Sequence, residues 1–176
     1  MEKESACEVL QANIASFDYG ERMKDCGGMR VAIYIRSAFS RDECEKELER
    51  QKRLYQNLLA AYPNWQLYKF YIDRGKANSP AGTIAFINMK HDAMSHKFDL
   101  IITESLTQFG KNIKAGIAVI RDLAGRIPPI GVILEKEHIY SLYQKDMMAL
   151  DFLLMVANTE SENRNNAVNE GSGFLS

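Results

Sequence analysis

Four short apolar runs alternate with segments of helical spacing, and this alternation constrains the fold more than any other feature of the chain. The run at 29–36 is compact and rich in β-branched residues, as a strand buried on both faces requires. Over 42–62, Leu48, Leu54, Tyr55, Leu58 and Leu59 form a helical stripe with charges between them; Asp42 or Ser40 can cap it, and Pro63 ends it. Residues 65–73 alternate as a second strand, and 74–82, holding Gly75, Asn78, Pro80 and Gly82, read as a loop. The spacing predicts a helix over 83–96 anchored by Ile84, Phe86, Ile87 and Met94. Strands at 98–103 and 127–134, a helix over 112–123 and a last helix over 144–158 complete the order. Strands alternating with helices imply right-handed βαβ units. The expected fold is a three-layer α/β domain, a mostly parallel four- to five-stranded sheet with helices on both faces. Sites in such sheets form at the carboxyl ends of strands, which here are 36–40, 73–82, 104–111 and 135–140.

The 176 residues suit one domain. Residues 1–28 read as a polar N-terminal extension with a short helix near 9–17, residues 29–160 as the domain, and the Asn-, Glu- and Gly-rich 161–176 as a disordered tail. Lys and Arg number 22 against 23 Asp and Glu, a formal net charge of −1. A domain that grips DNA unaided carries a basic excess, because phosphate neutralisation supplies most of the affinity. Contact with nucleic acid must therefore be local or supplied by a partner. Cys7, Cys26 and Cys44 are odd in number and form no CxxC pair, which argues against a disulfide framework and for a reducing cytoplasm. The N-terminus carries Glu2 and Glu4 and no long apolar core, unlike a signal peptide, and no apolar run is long enough to span a bilayer. His91 and His96 are five apart, not the four that would put two ligands on one helix face, and His138 is alone. No metal site and no cofactor are expected.

Several strand-end segments carry more specific patterns. Tyr34-Ile35-Arg36-Ser37-Ala38 closes the first run, Gln51 lies on the following helix, and Asp73-Arg74-Gly75 follows the second strand. Asp99-Leu100-Ile101-Ile102-Thr103-Glu104 leads into Ser105-Leu106-Thr107-Gln108-Phe109-Gly110-Lys111-Asn112. Glu135-Lys136-Glu137-His138-Ile139-Tyr140-Ser141 and Ala157-Asn158-Thr159-Glu160-Ser161 come last. In this order and at this spacing the pieces resemble the N-terminal catalytic domain of the serine recombinases, the resolvase/invertase family, and in particular its large members. The resemblance spans about residues 29–162. It implies the resolvase-like form of the three-layer fold, a mobile-element origin in a bacterial cytoplasm, and DNA strand exchange. In that chemistry a serine oxygen attacks a DNA phosphate, and arginines balance charge on the phosphoryl oxygens.

The chain departs from the family pattern where that chemistry resides. Ala38 stands where the family has its nucleophilic serine, two residues after Arg36. Thr83, three before Phe86, replaces an arginine, and Gln108 and Lys111 replace a pair of arginines. Losing one preorganised donor costs other enzymes about 2.7–4 kcal/mol of transition-state stabilisation. The implied site is thus vestigial: Tyr34, Arg36, Ser37, Ala38, Thr83, Gln108 and Lys111, with Arg74 and Lys76 on its rim. Ser37 falls on the opposite face of an extended segment, and Ser40 suits a helix start. Glu135 and Glu137 read as solvated or structural carboxylates.

The last helix, with Met147, Met148, Leu150, Phe152, Leu153, Leu154, Met155 and Val156, is apolar on more than one face. It suggests a homo-oligomer, because a large exposed apolar patch is unusual on a monomer. The expected function is a resolvase-fold domain without strand cleavage, acting by dimerisation or by association with an intact recombinase or DNA. The competing readings are an active recombinase using Ser37 or Ser40, and a binding module for a small anion or nucleotide.

Overall fold

The computed structural model describes residues 6–24, 26–37, 41–75 and 83–172, with side chains at 7–24, 26–37, 45–75 and 83–161. Ala38, Ser40 and Lys76, the side chain of Asp42, and residues 173–176 lie outside that description. The elements are α1 (Ala6–Ser16), α2 (Tyr19–Met23), β1 (Met29–Ser37), α3 (Arg41–Ala60), β2 (Trp65–Arg74), α4 (Ile84–Met94), β3 (Leu100–Thr103), α5 (Ile113–Ala124), β4 (Gly131–Leu134), β5 (Ile139–Tyr140) and α6 (Gln144–Ser172).

The strands form one sheet in the order β2-β1-β3-β4-β5, parallel except for the antiparallel β4–β5 pair. Successive side chains leave a strand on opposite faces, and β1 divides accordingly. Ala32 and Tyr34 enter a core with Phe86, Ile117 and Leu150 of α4, α5 and α6. Val31, Ile33 and Ile35 enter a second core with Leu10, Tyr19 and Tyr55 of α1, α2 and α3. The result is the expected three-layer, mostly parallel α/β fold.

Three local expectations are corrected. In α4 the inward residues are Phe86, Met89 and Ala93, whereas Ile84, Ile87 and Met94 are exposed. Both sets have helical spacing, and the sheet takes the stripe carrying the phenylalanine. The fourth strand begins at Gly131, not 127, because Pro128 and Pro129 have no N–H to give a ladder. The last helix runs to Ser172 instead of stopping near 158, so 161–172 are helical where a disordered tail was expected. Each residue added to an existing helix gains a hydrogen bond without a new nucleation step, which outweighs the weak propensity of asparagine.

The extension holds α1 and α2, which pack on the sheet through Leu10, Phe17, Tyr19 and Met23. On the other face, α5 crosses the segment after β3 so closely that a Cβ on Gly116 would lie 2.4 Å from the Phe109 carbonyl oxygen. Gly116→Ala should therefore lower stability in urea unfolding by about 1–3 kcal/mol, the cost of overpacking, despite the gain in helix propensity. Gly27→Ala, in open space, should stay within about 0.5 kcal/mol of the parent.

Candidate functional site at the strand ends

Parallel register sets Arg36 of β1 beside Asp73 of β2. Tyr34, two residues before Arg36, lies on the same strand face, and its hydroxyl donates to Asp73 Oδ2 at 3.0 Å. Arg36 Nη2 donates to the Tyr34 hydroxyl at 2.6 Å, and Arg36 Nε donates to the Gln108 carbonyl at 3.1 Å. The guanidinium and the Asp73 carboxylate approach to 4.0 Å, with side chains only 8% and 2% exposed. Asp73 also caps α4: its Oδ1 accepts from Ala85 N at 2.8 Å and its Oδ2 from Phe86 N at 3.0 Å. A carboxylate is favoured there, at the positive end of the helix dipole. The N-cap Thr83 makes no side-chain cap of its own. Burial pushes the Tyr34 phenol well above its ordinary range, which keeps it a neutral donor.

Two left-handed glycines complete the frame. Gly75, φ 89°, donates its N–H to the Ser37 carbonyl at 2.8 Å and turns the chain out of β2. Gly110, φ 103°, ends the segment after β3. Only glycine takes such a φ at little cost.

Arg36, Thr83 and Lys111 of the sequence-derived set come together around one cleft of about 340 Å³. Its lining is largely apolar, with Phe86 and Ile87, and includes Lys90 as well. Lys90 was missed, although Thr83, Ile87 and Lys90 follow the i, i+4, i+7 spacing of one helix face. Gln108 joins through its backbone only, since its side chain donates to Glu104 Oε2 at 2.7 Å. Tyr34 is buried behind Arg36 and does not line the cleft. Ser37 is buried and belongs to the opposite strand face, with Ile33 and Ile35. Arg74 pairs with Glu45 at 2.5 Å, outside the cleft. The Ala157 to Ser161 motif borders a different cleft, of about 460 Å³, with Thr107, Asn112 and Lys114.

The carboxylates behind the site are structural in geometry. Glu135 is fully buried, and Glu137 accepts from Leu106 N at 3.1 Å. Burial raises the pKa values of Glu104, Glu135 and Glu137, that of Glu135 to about 8. Among the described residues no group of three or more His, Cys, Asp or Glu is placed to hold a metal ion. No helix of the described residues is long and apolar enough to cross a membrane.

A doubly wound sheet with cations gathered at its carboxyl edge defines an α/β domain of the resolvase type. Residues 31–172 match the family model of the resolvase N-terminal domain, and the chain belongs to that family of site-specific recombinase domains. The fold is similar to a resolvase family site-specific recombinase from Streptococcus pneumoniae, at 24% identity and TM-score 0.64 over 82% of this chain and 95% of that one. It is also similar to the N-terminal catalytic domain of TP901-1 integrase, at 23% identity and TM-score 0.53 over 76% of this chain and 97% of that one. No curated protein matches the chain.

Asp73→Ala should destabilise the domain by about 3–5 kcal/mol in urea unfolding, because it removes the carboxylate that faces the buried Arg36 guanidinium and uncaps two N–H groups of α4. Arg74→Ala, which breaks only the solvent-exposed pair with Glu45, should cost no more than about 1 kcal/mol.

Proposed function

We propose that this domain does not cleave DNA and acts by association, with a second copy or with an intact recombinase on DNA. The observation that carries the reading is the placement of Arg36. It is the one arginine of the family pattern that the sequence retains, and it is held inward by Tyr34, Asp73 and the Gln108 carbonyl. A phosphate in the cleft would compete with a buried carboxylate for that guanidinium. Lys90 and Lys111 on the rim offer point charges without the planar fork of arginine. Ser37 lies on the far side of the strand from this cluster, which weighs against it as a displaced nucleophile.

Association is supported by α6. Met148, Phe152 and Met155 are 79%, 59% and 58% exposed and follow i, i+4, i+7 spacing, so they form one apolar stripe. Leu150 and Ala157 are buried, and Leu153 and Leu154 pack against the core. One face is thus already covered, and the stripe is surplus to the monomer core.

Labelled duplex fragments incubated with the protein should show no covalent protein–DNA band on denaturing gels. A band that disappears in Ser37→Ala or Ser40→Ala would replace this reading with an active recombinase. Sedimentation at tens of micromolar should show self-association, and Phe152→Asp should shift the protein to monomer without loss of helical signal. A wild-type monomer that also fails to join an intact recombinase on DNA would remove the association half of the proposal.

A further inference from the structure

Residues 6–24 precede the family match, which begins at 31, yet they are fastened to the domain at two places. The first is Glu135, at the end of β4 and fully buried. Its Oε1 accepts from the Tyr19 hydroxyl of α2, and its Oε2 accepts from the Tyr55 hydroxyl of α3 at 3.0 Å. Tyr19 is itself packed against Phe17 and the single tryptophan, Trp65, at ring separations of 4.5 and 6.2 Å. The second place is the root of α6. Arg22 Nε donates to Asp146 Oδ2 at 2.7 Å, Arg22 Nη2 donates to the His138 carbonyl at 2.9 Å, and the Tyr143 hydroxyl donates to Glu21 at 2.8 Å.

We propose that α1 and α2 form a clasp over the sheet and the root of α6, locked by the protonated Glu135 carboxyl and loosened when that proton leaves. Among the described residues the hydrogen-bond partners of Glu135 are two phenols and no cation. A buried carboxylate without a cation is costly, and its neutral acid is not. The charged group acting on it from the next strand end is Glu104, which also disfavours ionisation. Lys136 is exposed, Glu137 is turned to Leu106 N, and His138 is exposed. On the clasp itself, Arg22 is matched by Asp146 and Lys24 by Glu21. Among the described residues no cation therefore offsets the charge that appears on Glu135, and the two phenol hydrogen bonds that favour it do not outweigh the burial. Once Tyr19 leaves, water reaches the carboxylate, and the open form binds the proton less tightly.

The sign follows from linkage. Burial raises the Glu135 pKa in the closed form from 4.5 to about 8. Its contribution to the closed form is complete below the ordinary carboxylate range and is lost as pH rises toward about 8, levelling off above. The opening equilibrium should rise with pH in that window, by at most about tenfold per pH unit for one proton.

Native-state hydrogen exchange on the full chain, corrected for intrinsic rates, reads this directly. Protection of amides in 6–24 should fall several-fold per unit between about pH 6 and 8 and then level off, while β1 and β3 do not follow. Glu135→Gln should remove the pH dependence. Should that variant fail to fold, Tyr19→Phe takes its place; it deprives the carboxylate of a donor, so the levelling point should move to higher pH. Flat wild-type protection in 6–24 would overturn the clasp. So would an unchanged slope in Glu135→Gln, an unmoved levelling point in Tyr19→Phe, or exchange of 6–24 in step with the central strands.

Discussion

The carboxylate of Asp73 holds this architecture together at its functional end. It closes the β1–β2 register at its last pairs, starts α4 by accepting two backbone N–H groups, and takes the Tyr34 hydroxyl and the approach of Arg36. A carboxylate this buried is stable only because helix dipole, hydrogen bonds and cation converge on it. The convergence also decides what the cleft can offer a ligand. Arg36 borders the cleft, yet it also donates to Tyr34 and the Gln108 carbonyl and faces Asp73.

The layers were legible because they depend on period. The runs at 29–36, 65–73 and 98–103 place strands within a residue or two of β1, β2 and β3, since the apolar runs of β1 and β3 cannot be solvated on either face and the alternation of 65–73 has the period of a strand. Period alone does not choose between equivalent stripes, which is why Ile84, Ile87 and Met94 were expected inward beside Phe86, whereas Met89 and Ala93 are the residues buried with it. Nor does it weigh a tertiary contact. Residues 161–172 are poor helix formers one by one, yet they continue a helix already nucleated by packing at Leu150 and Ala157. The extension read as polar because its buried residues, Leu10, Phe17, Tyr19 and Met23, are too sparse to make a periodic signal.

The site was legible where the side chain does the work and obscure where the backbone or a distant segment does. Arg36, Thr83 and Lys111 do share a cleft. Gln108 enters through its carbonyl, which any residue would supply. Asp73 was visible only as part of the Asp73-Arg74-Gly75 pattern, because its four partners come from β1 and α4. Glu135 read as solvated or structural, and its identity as a buried acid rests on Tyr19, 116 residues away in sequence. No local rule reaches that far.

These placements separate the strand-end side chains that the fold depends on from those that it does not. The two cores draw on the alternating residues of the strands and on one stripe of each helix. Thr83, Gln108 and Lys111 belong to neither core. Substitution at such positions takes no volume from either core, so packing sets little penalty. Arg36 differs, because it is itself buried against Tyr34 and Asp73, and its removal would take the nearby cation from a buried carboxylate.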